Sequence, residues 1–341
     1  MATAPPPDAS RISVEATLEL LDGSFSEMAK GVSQDVYALW LGSGISFGRV
    51  PGLQNVVKNV LHFLQERVTI GNPDCRFRIA LNTIIGLANL SVEETTRTNI
   101  EQSVENWPDL QVISQRLVNN YARMLDVPVD NEEPDFLLWA AVNVPVVYAD
   151  PSITPDAEHL SIALLAVEGV ASQIATANWD GLVEKAVSEL GNGASLTVVV
   201  RPEDSRGAQQ RTHLYKFHGC AVKAGNDAAN YRSRLIARQS QINGWSSAPE
   251  NTLIVNQLVL LATTKRTLMI GLSAQDSNIQ GVFAKAQATM TWPWPSTDLA
   301  YVFSANSLAS DHQGLLQNVY RESYSAVNRN AINEEALLRA W

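Results

Sequence analysis

Apolar positions along this chain follow two alternating periods. Short runs rich in β-branched and aromatic residues predict buried strands: residues 35–40 (DVYALW), 172–175, 196–200 (LTVVV), 212–217 (THLYKF), 267–270 and 299–303. Residues 144–148 read as a further strand. Between these runs the apolar residues recur at helical spacing. Leu53, Val56, Val57, Val60, Leu61, Leu64 and Val68 form one stripe, and Leu182, Val183, Ala186, Val187 and Leu190 form another. The same spacing predicts helices over residues 13–30, 157–167 and 252–263, beyond the 271–279 loop to about Met290, and over 313–341. Strand–helix alternation of this kind is the pattern of an α/β protein, a parallel sheet flanked by helices.

Residues 71–142 break the alternation. Helical segments around 78–90, 92–104 and 110–125 are separated by Asn72-Pro73, Trp107-Pro108 and an acidic, proline-bearing stretch at 128–134. This region is expected to be an all-α insertion, with 11–70 and 143–341 making the α/β domain. Residues 223–251 are polar and read as irregular. The first ten residues, MATAPPPDAS, lack the basic start and apolar core of a signal peptide and are expected to be a disordered tail.

Composition narrows the function classes. The chain has 341 residues, 45% hydrophobic and 18% charged, with a formal net charge of −10. That balance argues against a general nucleic-acid or anionic-membrane binder. Two cysteines, Cys75 and Cys220, cannot build a disulfide framework or a four-cysteine zinc site, and they fit a reducing cytoplasm. No apolar run reaches membrane-spanning length. A cytoplasmic protein without a metal is expected.

The candidate chemistry lies where strands end. After the first strand comes Gly42-Ser43-Gly44-Ile45-Ser46, then a helix; glycines let such a turn bend tightly and approach a pyrophosphate. The dehydrogenase version of this turn wants an acidic residue ending a second strand, and the nearest, Glu66, lies in a helix instead. The next strand delivers Thr176-Ala177-Asn178-Trp179-Asp180, with Asp180 placed to cap the following helix. Another delivers His218-Gly219. A further loop carries Gly271, Ser273, Asp276 and Asn278, and the last strand leads to Asn306. Each residue alone has a structural reading, as a turn former or a cap. Parallel strands share an end, however, so all five groups are expected at one crevice. Among the histidines, His62 lies within a helix, His159 opens one and His312 is expected at the surface. His213 and His218 point to opposite faces by strand parity, which leaves His218 as the candidate base.

Taken in order, Gly42-Ser43-Gly44-Ile45-Ser46, Thr176-Ala177-Asn178-Trp179-Asp180, Lys216-Phe217-His218-Gly219 and the Gly271-to-Ile279 loop resemble the SIR2-like family. Within it, the chain is most similar to the NAD-consuming effectors of prokaryotic antiphage defence. The resemblance spans roughly residues 35–306. It implies a Rossmann-like domain that binds NAD as substrate, with Asn178 and His218 as the catalytic pair. It further implies a nucleotide site of Gly42, Ser43, Gly44, Ser46, Asp180, Gly271, Ser273, Asp276, Asn278 and Asn306. Two departures stand out. The zinc-binding cysteine pairs of the sirtuin deacylases are absent, and Gly52-Leu53 follows Pro51 where those deacylases carry Phe-Arg. Both favour NAD hydrolysis to nicotinamide and ADP-ribose over lysine deacylation. A zinc-less deacylase and a non-catalytic NAD or ADP-ribose sensor are the alternatives. Such an effector is expected to be gated by homo-oligomerisation or by a regulatory partner of its defence system.

Overall fold

The computed structural model describes residues 14–23, 25–191, 196–206, 210–290, 300–303 and 310–320. Six strands form one parallel sheet: β1 Tyr37–Leu41, β2 Gln173–Thr176, β3 Leu196–Val199, β4 Thr212–Lys216, β5 Arg266–Ile270 and β6 Ala300–Phe303. Their spatial order is β3-β4-β2-β1-β5-β6. This is the Rossmann-like α/β arrangement. From β1 the chain passes to β2 and to the edge strand β3, returns to β4 between them, then crosses over to start β5 on the other side of β1. The switch point therefore lies between β1 and β5, where open α/β sheets place their ligands.

A parallel sheet is covered on both faces, which is why β1 is a continuous apolar run buried at every position. One face carries Tyr37, Leu39, Leu41, Ile174, Leu214 and Leu268. It packs with Ile162, Ala163 and Ala166 of the helix Ala157–Val167, and with Val183, Ala186 and Val187 of the helix Leu182–Gly191. On the opposite face Trp40 meets Phe283 of the helix Ser277–Thr289, ring centroids 4.8 Å apart.

Register decides where function can sit. Leu41 pairs with Thr176 on one side and Ile270 on the other, and Thr176 pairs with Lys216. The row Ile270–Leu41–Thr176–Lys216 thus ends four strands in step, and the four motif loops leave the sheet together.

The chain divides into two compact units. One comprises Met1–Ser46, Thr154–Gly219 and Trp245–Trp341 and holds the sheet; the other comprises Phe47–Ile153 and Cys220–Gly244. The second unit has only helical elements among its described residues. In it the stripe of Leu53–Gln65 packs against Arg76–Leu87 and Leu110–Val118.

Several local expectations change. Residues 144–148 are not a strand: Val144–Val147 is a helical turn, started by Asn143 in the left-handed region at φ 55°. Pro145 explains the difference, because its fixed φ and missing N–H suit a first helical turn and exclude a central strand. The single helix expected over 13–30 is two, Val14–Asp22 and Ser26–Ser33. The stretch read as irregular contains the short helices Ala221–Asn226, Ala228–Tyr231 and Gln239–Gly244. The C-terminal helix is Ser310–Tyr320. The first ten residues, Asn306 and the rest of the expected tail helix lie outside the described residues.

Candidate functional site

Two glycine-bearing loops meet first. The Gly42 N–H donates to the Ile270 carbonyl at 3.0 Å and the Gly44 N–H to the Gly271 carbonyl at 2.9 Å. A Cβ on Gly42 would lie 2.4 Å from Leu272 Cα, and one on Gly44 would lie 2.7 Å from Gly271 Cα. Gly271 has φ +63°, and a Cβ there would come 2.6 Å from the Ile45 nitrogen. The sequence suggested that these glycines admit a pyrophosphate. Their first effect is to let the two loops flanking the switch point close on each other, backbone against backbone. The 3₁₀ turn Ser43–Ser46 follows, with Ser43 and Gly44 exposed.

The β2 loop is tied to this turn at both ends. Asn178 Nδ2 donates to the Gly42 carbonyl at 3.0 Å, and Ser46 Oγ donates to Asp180 Oδ2 at 3.0 Å. The Asn178 N–H is itself held by Thr176 Oγ1 at 3.0 Å. Asp180 uses its second oxygen to accept the Leu182 N–H at 3.2 Å, the capping role its position suggested. Asn178 is partly exposed, whereas Ser46 and Asp180 are buried.

From β4 comes Lys216, whose ammonium is buried behind the β2 loop. It donates to the Asp180 carbonyl and, at 3.4 Å, to the Trp179 carbonyl, and it pairs with Glu184 at 2.8 Å. A cation directed at these groups is committed to holding the loop. Two residues on, His218 is buried between aromatic rings, 4.9 Å from Phe217 and 6.0 Å from Trp245 between centroids. Trp179 Nε1 donates to the His218 carbonyl at 3.0 Å and Trp245 Nε1 to the Phe217 carbonyl at 3.1 Å.

The β5 loop completes the surroundings of His218. Asp276 Oδ2 lies 3.3 Å from Nδ1, and Asn278 Nδ2 lies 3.1 Å from Nε2. A carboxylate only accepts, so Nδ1 carries the hydrogen and Nε2 accepts from the Asn278 amide. Asp276 Oδ1 meanwhile accepts the Asn278 N–H at 2.8 Å, capping Ser277–Thr289. Burial lowers the His218 pKa below its ordinary value, and the Asp276 charge offsets only part of that shift. The ring is thus a neutral acceptor in a dry setting. Ser273 is exposed on the same loop.

The structure therefore brings together residues 42–46, Asn178, Asp180, His218, Gly271, Asp276 and Asn278. Asp276 and Asn278 adjoin His218 directly. Sequence reasoning named Lys216 only as part of a motif and His159 only as opening a helix, gave neither a role at the site, and did not name Trp245. A lysine in an apolar strand was a usable signal for Lys216; spacing offered none for the other two.

No group of His, Cys, Asp and Glu that could hold a metal occurs among the described residues, and no described helix is long and apolar enough to cross a membrane. Residues 172–324, the stretch from β2 to beyond β6, match the family described as the SIR2-like domain. A search of the curated proteins gave no match.

Proposed function

We propose that this SIR2-like protein hydrolyses NAD to nicotinamide and ADP-ribose. A SIR2-like domain points to NAD chemistry. The observation that carries the finer reading is the placement of Asn178 and His218 on adjacent parallel strand ends, each already oriented by a neighbour.

The donor set fits a dinucleotide. Exposed Ser43, Gly44 and Ser273 offer hydroxyl and backbone groups to phosphate and ribose oxygens beside the switch point. NAD supplies a cationic nicotinamide, a leaving group that needs no acid. With its Nδ2 fixed on Gly42, Asn178 has its Oδ1 to orient water or a ribose hydroxyl. His218 Nε2 accepts the proton of the attacking water once the Asn278 amide gives way. The glycosidic C–N bond breaks, the water oxygen bonds to the ribose carbon, and the proton passes through His218 to solvent. Asp276 sets the tautomer of His218, and Asp180 and Ser46 hold the two loops together.

Hydrolysis is favoured over deacylation because two cysteines cannot supply the paired-cysteine zinc site of the deacylases. In a cell this activity would deplete NAD. We read the protein as an antiphage defence effector held in check by self-association or by a partner protein. Nicotinamide release by the wild type and by Asn178→Ala tests the assignment. Loss of about 10²-fold or more is expected if positioning dominates; an Asn178→Ala protein as fast as the wild type would overturn it.

A further inference from the structure

One buried group beside the site is not explained by the catalytic pair. His159 lies in the first turn of the helix Ala157–Val167 and is fully buried. Its Nε2 is 3.1 Å from Ser46 Oγ, and its Nδ1 touches Asp156 Oδ1. Asp156 caps the same helix: its carboxylate accepts the His159 N–H, while its own N–H reaches back to the His159 ring.

The direction of the chain follows from donor counting. Ser46 has one hydroxyl hydrogen, and Asp180 can only accept, so that hydrogen points to Asp180 Oδ2. Ser46 Oγ must then accept from His159, which places a hydrogen on Nε2. The run His159–Ser46–Asp180 is thus a directed line of buried hydrogen bonds. It ends on the residue that caps the helix after Asn178. Ser46 and Asp180 are both buried, and their pairing is what the line fixes.

We propose that His159, held by Asp156, is a positioning residue that locks the 42–46 turn onto the Asn178–Asp180 loop and so preforms the nucleotide site. The proposal rests on the NAD reading for its kinetic consequence, not for its structural one. Without the Nε2 donor, Ser46 can turn its hydroxyl away from Asp180, and the hydrogen bond of Asn178 to Gly42 must hold the loops without that second tie. A turn that must be ordered by its ligand binds that ligand more weakly.

Two substitutions separate the ring nitrogens. A glutamine amide can reach the place of Nε2 and keep the donor to Ser46; an asparagine amide reaches only the place of Nδ1. Steady-state NAD hydrolysis by the full chain should show KM raised about 10-fold or more in His159→Asn, with kcat changed by less than about 3-fold. His159→Gln should restore most of that loss. In the ligand-free protein, hydrogen exchange at the Gly44 and Asn178 amides should quicken about 10-fold in His159→Asn and return toward wild type in His159→Gln. Ser46→Ala removes the same link while leaving His159 and Asp156 in place, and should reproduce the KM rise even if His159→Asn does not fold. Equal behaviour of the Asn and Gln variants, or unchanged exchange in both His159→Asn and Ser46→Ala, would overturn the proposal. A wild-type chain that released no nicotinamide would instead defeat the NAD reading, while the exchange rates would still decide the role of His159.

Discussion

Asn278 and His218 share a hydrogen bond of 3.1 Å at Nε2, on the side of the ring away from the Asp276 carboxylate at Nδ1. The histidine therefore stands between a neutral donor and a negative acceptor, and the two neighbours move its proton affinity in separable ways. Burial already lowers its pKa from 6.5, and Asp276 raises it in part. A base works when unprotonated, so the acid limb of the pH–rate profile should lie below the ordinary histidine value. Asp276→Asn removes the raising charge and should move that limb further down in pH. Asn278→Asp adds a carboxylate at Nε2 and should move it up. Profiles of nicotinamide release decide this; a limb that ignores both substitutions removes His218 as the base.

The contact between the two glycine loops predicts a stability cost that a glycine in open space does not share. Gly44→Ala and Gly271→Ala each force a methyl group into facing backbone, and should destabilise by about 1–3 kcal/mol in urea unfolding. Gly86, exposed near the end of Arg76–Leu87 with open space around it, is the control. Gly86→Ala should instead stabilise by about 0.5–1 kcal/mol through helix propensity.

Lys216 is buried while holding two carbonyls and the Glu184 carboxylate. Lys216→Met keeps much of the volume but leaves those acceptors without the ammonium. A loss of about 3 kcal/mol is expected, because breaking a buried pair on one side leaves its partner uncompensated. Glu184→Gln, whose carboxylate is nearer the surface, should cost less. Denaturant midpoints for the two variants check the order.

At the opposite end of the strands, Asp35 accepts from the Ser172 N–H at 2.9 Å and the Ser172 hydroxyl at 2.6 Å, and pairs with Lys265 at 2.9 Å. Burial pushes its carboxyl up, but these hydrogen bonds and the lysine charge outweigh it, and the net pKa is lowered from 3.8. A lowered folded pKa gives stability that is complete above the unfolded value and lost as pH falls through the folded one. Asp35→Asn should cost about 1–3 kcal/mol at pH 7. That deficit should shrink as unfolding is repeated at pH values falling below 3.8, through the lowered folded value.

Much of this protein was legible in its sequence because the signals were local. A β-branched run such as residues 196–199, or the stripe from Leu53 to Leu64, reports its own backbone through side-chain period alone. The order of the motifs and the capping positions of Asp180 and Asp276 were likewise readable, since a cap acts within a few residues. The run VPVVY at 144–148 misled because alternating apolar residues satisfy a strand pattern, while Pro145 settled the backbone as a helical turn. What only tertiary structure decided was pairing across long separations. Parallel register put Leu41, Thr176, Lys216 and Ile270 in one row, and so placed the loops of Asn178 and His218 on adjacent strand ends. The fold also joined His159 to Ser46 across 113 positions and Ser46 to Asp180 across 134. No periodicity encodes such partners. They exist because buried donors and acceptors must find each other once the strands have fixed where each loop begins.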